Sequence, residues 1–282
     1  MKFAICNETF LDWPVARGFD FAAECGYTGV EIAPFTIDTD ARRISASQRA
    51  EVRQAADAAG LEIIGLHWLL AKTEGLYLTS PDAATRERTI DYLRALIALC
   101  HDLGGQVMVF GSPQQRVLLP GVTNDQAMGF AAEVFGAVTA DLEAADVTLA
   151  LEPLSPEWGP FLNTAAEGVQ LIEAVGSAHV RLHLDCIAMA TESTPIPDLL
   201  KTHRQLLAHF HANDPNKQGP GMGALDFHPI FQSLGEIDYR GWVSVEVFDY
   251  SPGVERLAQE SIAYMQRVLE EIKAANPGKP TA

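Results

Sequence analysis

Short apolar runs alternate along the chain with longer segments whose apolar positions recur every three to four residues. The short runs are typical of strands, and the longer segments are typical of helices with one buried face. The predicted strands lie at residues 3–6, 29–33, 61–67 and 106–110, and in the runs that end at Glu152, Asp185, His211 and Glu246. The predicted helices span residues 14–25, 47–59, 81–103, 125–145, 164–175, 196–206, 229–234 and 254–274. Eight strand and helix pairs in this order predict a (β/α)₈ TIM barrel.

The local chemistry of the segments agrees with that prediction. Residues 106–110 are almost continuously apolar, as expected for a strand buried on both faces of a parallel sheet. Residues suited to cap helix N-termini are found near the predicted helix starts, namely Ser47, Ser80 followed by Pro81, Asn124 and Thr164. No linker rich in Pro, Gly or Ser divides the 282 residues. We therefore expect a single domain over residues 1–275, followed by a flexible C-terminal tail over 276–282.

Four consecutive predicted strands of the second half end in a residue that can bind a metal. These residues are Glu152, Asp185, His211 and Glu246. A single acidic residue at a strand end is as often an ordinary buried polar residue or a helix cap. Four of them at the same end of a barrel would converge, and the three carboxylates would repel each other unless a divalent cation lay between them. The mixed oxygen and nitrogen set predicts one bound Mn²⁺, with Mg²⁺ and Co²⁺ as alternatives.

Composition and charge exclude several classes of partner. The formal net charge is −17 and the acidic residues are scattered, so a polyanion such as nucleic acid would be repelled. The four cysteines show no CxxC spacing, and residues 1–10 do not read as a secretory signal. No apolar stretch approaches the roughly 20 residues of a membrane helix. We expect a cytoplasmic protein with no membrane partner and a small-molecule substrate, and homodimers and homotetramers stay open as its assemblies.

At the metal-binding residues the chain resembles the xylose-isomerase-like superfamily of TIM barrels, a group of sugar isomerases and epimerases that includes the ketose 3-epimerases. The resemblance spans nearly the whole chain. Its most specific blocks are 151–154 with 161–164, 183–185, 209–215, 219–223 and 241–246. The resemblance implies that Glu152, Asp185, His211 and Glu246 hold one divalent metal, and that Glu152 and Glu246 also transfer protons.

Three positions differ from the ketose 3-epimerase pattern. Trp158 stands where those enzymes have a glutamate, with Glu157 one place earlier. Ala188 stands where they have a histidine, and Lys217 where they have an arginine. The metal ligands are kept while the substrate contacts are changed, which predicts a substrate other than a common ketohexose.

The predicted centre supports proton transfer next to a carbonyl group. A metal that chelates the carbonyl and its neighbouring hydroxyl stabilises the enediolate left when the α-proton departs. Removal of the proton by one of the flanking glutamates and its return to the same carbon by the other gives epimerisation, whereas return to the adjacent carbon gives aldose–ketose isomerisation. If a leaving group lies next to the carbanion, the same first step ends in elimination.

The predicted substrate contacts each have a plain alternative. His67 at the end of the third strand would hydrogen-bond a sugar hydroxyl, or it is a structural histidine. Trp68 and Trp158 would form apolar walls against a sugar, or they pack in the core. Glu157 and Lys217 are the remaining candidates, and a solvated surface lysine is the alternative for Lys217. Glu31 is expected either to reach the pocket or to cap a turn. His183 is expected to be a hydrogen-bonded core residue.

Three other functions compete with a sugar isomerase or epimerase. The first is a lyase or dehydratase of the same superfamily, such as an inosose dehydratase or an enzyme that eliminates the aglycone from a 3-keto-glycoside. The second is a DNA repair endonuclease like endonuclease IV, which the charge of −17 and the incomplete ligand set disfavour. The third is a non-catalytic sugar-binding module, which would not need two opposed glutamates.

Overall fold

Eight parallel strands close into a barrel in the computed structural model, which describes residues 1–275. The strands are β1 Lys2–Cys6, β2 Gly29–Ile32, β3 Glu62–Leu66, β4 Val107–Phe110, β5 Thr148–Leu151, β6 Val180–Asp185, β7 Leu207–Ala212 and β8 Trp242–Val245. Each strand pairs with the next in sequence order, and β1 pairs with β8 to close the barrel. The predicted TIM barrel is confirmed. The predicted tail, 276–282, lies outside the described residues.

Helices follow the strands around the outside of the barrel. They are α1 Val15–Cys25, α2 Ala46–Ala59, α3 Ala83–Leu103, α4 Asn124–Gly136, α5 Thr139–Ala145, α6 Ala165–Val175, α7 Cys186–Met189, α8 Ile196–His203, α9 His228–Glu236 and α10 Val254–Ala275. Short 3₁₀ turns span Asn7–Phe10, Pro34–Thr36, Ala41–Arg43, Pro113–Gln115 and Pro156–Trp158. None of the helices within the described range combines the length and the hydropathy needed to cross a membrane.

The predicted helix starts are correct at one cap and wrong at three. Thr164 caps α6 as predicted and forms a capping box with Glu167. The cap of α2 is Ser45 and not Ser47, because Ser45 can pair with Gln48 in a capping box. The cap of α3 is Asp82, two residues after Ser80, and the cap of α4 is Thr123, one residue before Asn124. In each of these three cases the side chain that reaches the free backbone N–H sets the boundary.

Two helical segments differ from their predicted extent. The helix predicted over 125–145 is interrupted between α4 and α5. Gly136, Val138 and Thr139 lie at this break, and all three are poor helix formers. The short helix α7 was not predicted. It starts directly after β6 because Asp185 caps it by accepting a hydrogen bond from the backbone N–H of Ala188 at 2.9 Å.

The barrel strands carry buried polar side chains among their apolar ones. Glu31 of β2, His183 of β6, His209 and His211 of β7 and Ser244 of β8 are all buried. Their mutual contacts join strands from different sides of the barrel. Large apolar residues such as Phe110, Phe135 and Phe231 fill the core around them. The site described below therefore rests on a polar layer that is enclosed by an apolar shell.

Gly65 of β3 allows β3 and β4 to approach each other closely. A Cβ atom at this position would lie 1.9 Å from the backbone oxygen of Val107. Gly129 of α4 offers a contrast, because a Cβ there would meet nothing within 4 Å.

We expect Gly65→Ala to lower the free energy of unfolding by about 1–3 kcal/mol or more, since the strand pair must separate. Gly129→Ala is the matched control and should raise it by about 0.5–1 kcal/mol, since alanine is the better helix former. Denaturant titration of both variants measures the difference. Equal stabilities would mean that the close approach at Gly65 places no constraint on the barrel.

Candidate active site

The four predicted metal ligands converge at the C-terminal ends of strands β5 to β8. Glu152 directly follows β5, Asp185 ends β6, His211 lies near the end of β7, and Glu246 directly follows β8. All four are buried, and one ligand atom of each lies within 4.8 Å of those of the other three. His211 Nδ1 is 3.0 Å from Glu246 Oε2. The sequence prediction that these side chains meet is correct.

Burial and neighbouring charge raise the pKa of two of the three acids in this small space. Burial raises the pKa of Glu152 well above its ordinary value, and the charges of Glu246 and Asp185 raise it further. Burial and the charge of Glu246 raise the pKa of Asp185 to about 6. The cluster therefore has more negative charge than its surroundings stabilise. A divalent cation would relieve this repulsion, and carboxylate oxygens with one imidazole are ligands that Mn²⁺ and Mg²⁺ accept.

Asp185 is oriented by two hydrogen bonds. Its Oδ1 accepts from the backbone N–H of Ala188, and its Oδ2 accepts from Asn213 Nδ2 at 2.5 Å. Asn213 is fully buried, and its own Oδ1 accepts from the backbone N–H of Ile187 at 3.0 Å. The start of α7 and the loop after β7 thus hold the carboxylate in place.

Glu31 lies beneath the cluster and joins two histidines. Its Oε2 is 2.9 Å from His209 Nε2 and 3.1 Å from His211 Nε2. Burial would raise the pKa of Glu31, but the two imidazoles hold it well below the ordinary value. Burial would likewise lower the pKa of His211, but Glu31 and Glu246 raise it well above 6.5. Nε2 of His211 is thus engaged by Glu31, so Nδ1 faces the other acids.

The sequence analysis expected Glu31 to reach the pocket or to cap a turn, and it does neither, because it pairs with His209 and His211 below the pocket. A carboxylate inside the apolar run Gly29–Ile32 was the available signal. The sequence could not show that its partners come from β7, because that contact depends on how the barrel closes.

Arg116 is a buried charge that the sequence analysis missed. Its guanidinium donates to the backbone oxygens of Glu152 at 2.6 Å and of Leu162 at 2.9 Å. Burial lowers its pKa to about 10, against the opposing effect of the Glu152 and Glu167 charges. Arg116 therefore joins the loop after β4 to the loop after β5 and holds the backbone of Glu152. It lies in a loop with no recognisable motif, so no sequence signal indicated it.

His67 lines the pocket beside the cluster and pairs with Glu8. His67 Nε2 lies 2.6 Å from Glu8 Oε2, and both side chains are buried. Burial would lower the pKa of His67, but the neighbouring Cys6 and Glu8 raise it well above 6.5. Glu8 was not predicted, because it lies in the 3₁₀ turn after β1 and belongs to no apolar run. Cys6, Glu8, His67 and Glu246 also approach within 4.8 Å of one another.

His183 is a buried core residue, as expected, but the expected hydrogen bond is absent. Neither ring nitrogen has a partner among the described residues. His183 Nε2 lies 3.9 Å from Glu152 Oε1. Burial and the nearby His211 and His209 lower its pKa well below 6.5, so the ring is neutral.

The clustered residues open into a small pocket of about 30 Å³. Its walls include His67, Trp68, Gly111, Ser112, Pro113, Glu152, Leu154, Ser155, Trp158, Asp185, Ile187, Ala188, Glu246 and Phe248. Trp68 and Trp158 therefore lie at the pocket, which agrees with the first of their two alternatives. Ala188 lines it too, so an apolar methyl group occupies the place where the ketose 3-epimerase pattern has a histidine.

Glu157 and Lys217 form a pair at the rim and do not line this pocket. Lys217 Nζ lies 3.4 Å from Glu157 Oε1 and 5.3 Å from the centre of the Trp158 ring. Both side chains are at least 40% exposed to solvent, with values of 41% and 50%. Neither residue therefore lies where a substrate in this pocket would touch it.

Comparison with known proteins agrees with the fold. Residues 19–268 match the family described as xylose isomerase-like TIM barrel. The chain belongs to this family. The predicted superfamily is confirmed.

Two relatives and one solved structure show how far the similarity extends. The chain is 30% identical to the D-psicose 3-epimerase of Enterocloster bolteae over 204 residues, which cover 71% of this chain and 66% of that one. It is 26% identical to a probable ketose 3-epimerase of Synechocystis sp. over 268 residues, which cover 89% and 90%. The crystal structure of D-psicose 3-epimerase with D-tagatose from Clostridium cellulolyticum H10 superimposes with a TM-score of 0.83 at 22% identity, covering 95% and 99%. At that identity the superposition shows the common fold.

We expect Glu31→Gln to lower the free energy of unfolding at neutral pH by about 3 kcal/mol, because it removes the charge between two buried imidazoles. The folded-state pKa of Glu31 is held low, so its contribution is present at neutral pH and is lost as the pH falls through that pKa. Glu62→Gln is the control, since Glu62 forms an exposed pair with Lys2 worth less than about 1 kcal/mol. Equal losses in urea titrations at neutral pH would show that Glu31 does not stabilise the two histidines.

Proposed function

We propose that this protein is a divalent-metal-dependent sugar isomerase or epimerase that removes and returns a proton next to a carbonyl group. The broad class is shown, since the family and the named epimerase relatives identify an enzyme of the sugar isomerase and epimerase group. One observation supports the finer proposal most strongly. Glu152 and Glu246 belong to the same metal-compatible cluster, and both line the same pocket.

The residues of the cluster fit a single divalent cation. Glu152, Asp185, His211 and Glu246 would hold it, with Mn²⁺ the first choice and Mg²⁺ or Co²⁺ as alternatives. When bound, the cation would act as a Lewis acid toward oxygen atoms of the substrate. The engagement of His211 Nε2 by Glu31 supports ligation through Nδ1, since metal-binding histidines usually hydrogen-bond a carboxylate through the other nitrogen.

The positions of the two glutamates support proton transfer between each of them and the substrate. Glu152 follows β5 and Glu246 follows β8, so they reach the pocket from strands separated by β6 and β7. A sugar carbon lying between them would have a carboxyl group on each side. Removal of a proton by one and return by the other inverts that carbon, and this is the requirement for epimerisation.

The other pocket residues would bind and orient the sugar. The buried pair of His67 and Glu8 offers a fixed imidazole to a hydroxyl group. Trp68, Trp158 and Ala188 would contact apolar faces and exclude water. The small number of polar groups on these walls supports a substrate with fewer exposed hydroxyls than an open-chain hexulose.

Removal of the metal tests the first part of the proposal. Exhaustive dialysis against a chelator should abolish proton exchange, and Mn²⁺, Co²⁺ or Mg²⁺ should restore it. Lowering the pH from about 7.5 to 5.5 should weaken Mn²⁺ binding by at least about tenfold, because protons occupy ligands whose pKa is raised, including Asp185 at about 6. Titration calorimetry at the two pH values measures this change. Full activity in protein verified to be metal-free would contradict the proposal.

Substitution of the two glutamates tests the second part. We expect Glu152→Gln and Glu246→Gln each to reduce turnover by about 10² to 10⁴ at saturating metal, since each removes a proton-transfer group. The readout is deuterium incorporation into sugars and keto-sugars in D₂O by NMR, using Mg²⁺-loaded protein. Glu62→Gln, at an exposed site on β3, is the control and should retain normal turnover.

Three results of that experiment separate the competing reactions. Deuterium at an inverted carbon identifies epimerisation, and deuterium at the neighbouring carbon identifies isomerisation. Loss of a substituent together with exchange identifies a lyase. Near-normal turnover of both Gln variants with bound metal would refute the assignment of the two glutamates.

A further inference from the structure

The pocket at Glu152, Asp185 and Glu246, called the inner pocket below, opens into a second and much larger cleft. This outer cleft has a volume of about 1080 Å³, compared with about 30 Å³ for the inner pocket. Four residues line both spaces, namely Trp68, Pro113, Trp158 and Phe248. The two spaces are therefore continuous, and a ligand in the inner pocket has one side facing the outer cleft.

The wall of the outer cleft is apolar and rich in aromatic rings. Phe35, Trp68, Trp158, Phe248 and Tyr250 all line it. Leu11 and Tyr250, at 52% and 41% exposure, are the large hydrophobic side chains that the described part of the chain leaves exposed, and both belong to this cleft. Single exposed apolar residues scattered over a surface are ordinary. Exposed apolar residues that gather at one place indicate a binding surface.

An aromatic constriction separates the two spaces. The Phe248 ring lies 6.1 Å from the Trp68 ring at 70° and 6.2 Å from the Trp158 ring at 45°. Trp68 has a φ of 51°, a left-handed conformation that costs a bulky residue energy. The surrounding chain holds Trp68 in this conformation, and its side chain stands where the inner pocket meets the outer cleft.

We propose that the outer cleft binds a second ring attached to the reacting sugar, so that the substrate is a keto-glycoside. This inference rests on the proposed proton-transfer function of the inner pocket. Aromatic side chains pack well against the apolar face of a sugar ring and against an aryl group, and either would cover the exposed rings. A free monosaccharide filling the inner pocket would leave this apolar wall in contact with water.

The glycosidic bond determines where the carbonyl group of such a substrate lies. A glycoside cannot open to a free aldehyde or ketone, because its anomeric carbon is bonded to the second group. The carbonyl required for α-proton removal must then be a ketone on a ring carbon. A ketone at C3 has a hydrogen and a hydroxyl on the carbons at both sides, and it therefore suits both epimerisation and elimination.

Charge favours a neutral second ring. The cleft carries the acidic residues Glu8, Asp12 and Glu157, with Lys72 as the basic residue among those that line it. The whole chain has a net charge of −17. A phosphorylated or carboxylated substituent would be repelled, whereas a glucosyl or phenyl group would not.

The test compares keto-glycosides that differ only in the second group. Methyl, phenyl and glucosyl β-D-glucosides oxidised to the ketone at C3 are incubated with Mg²⁺-loaded protein in D₂O, with D-fructose as the free ketose. We expect kcat/KM for deuterium exchange to be at least about tenfold higher with a phenyl or glucosyl group than with methyl, mainly through KM. The better of the two shows whether the cleft suits an aryl group or a sugar.

Two variants assign the effect to the cleft. Tyr250 lines the outer cleft and is absent from the walls of the inner pocket, so Tyr250→Ala should reduce the preference for the larger group severalfold while leaving the methyl keto-glycoside unaffected. Phe130→Ala, on the outer helix α4, is the matched control and should leave the preference unchanged.

Binding of unreactive ligands separates this inference from the proposed reaction. Phenyl β-D-glucopyranoside should bind more tightly than its methyl counterpart in calorimetry, even without exchange chemistry, and Tyr250→Ala should remove the difference. Equal rates of exchange with fructose and with all three keto-glycosides would agree with the proposed proton transfer. They would refute the proposal that the substrate is a keto-glycoside. Equal affinity for the phenyl and methyl glucosides would refute the keto-glycoside proposal as well. A Tyr250→Ala protein that loses only self-association would also refute it, because the occupant of the cleft would then be a second copy of the chain.

Discussion

The repulsion between three buried carboxylates is the constraint on which the site depends. Glu152, Asp185 and Glu246 come from the ends of three strands and meet at the buried base of the pocket. Burial and their mutual charges raise the pKa of Glu152 and Asp185. Such a cluster destabilises the fold unless a positive charge compensates it. The protein supplies part of that charge through His211 and Arg116, and the proposed cation would supply the rest.

The barrel makes this arrangement rigid through contacts that lie below and beside the cluster. Glu31 engages His211 from β2, Arg116 holds the backbone of Glu152, and Asn213 holds Asp185. Each of these residues is nearly fully buried and acts on a different proposed ligand. Ligand positions that are fixed in advance allow a metal to bind without reorganising the loops.

Sequence analysis predicts those features that depend on local pattern and on strand order. The alternation of strands and helices indicates the barrel, and the strand ends indicate Glu152, Asp185, His211 and Glu246. It could not predict Glu8, Arg116 or the role of Glu31, because their partners are distant in sequence and meet only when the barrel closes. Helix starts were misplaced where several polar residues compete for a cap, as Ser45 and Ser47 do at α2. Lys217 was a candidate substrate contact, with a solvated surface lysine as the alternative, and in the fold it pairs with Glu157 at the rim.

The polar cluster and its apolar surroundings together define the chemistry that the site supports. The acids suit the proposed metal ligation and proton transfer, while Trp68, Trp158 and Phe248 shape what can approach them. The most direct test of this account is the anomalous diffraction of a Mn²⁺-loaded crystal. We expect one strong peak within bonding distance of Glu152, Asp185, His211 Nδ1 and Glu246. A peak held instead by Cys6, Glu8 and His67, or no peak at saturating Mn²⁺, would contradict it.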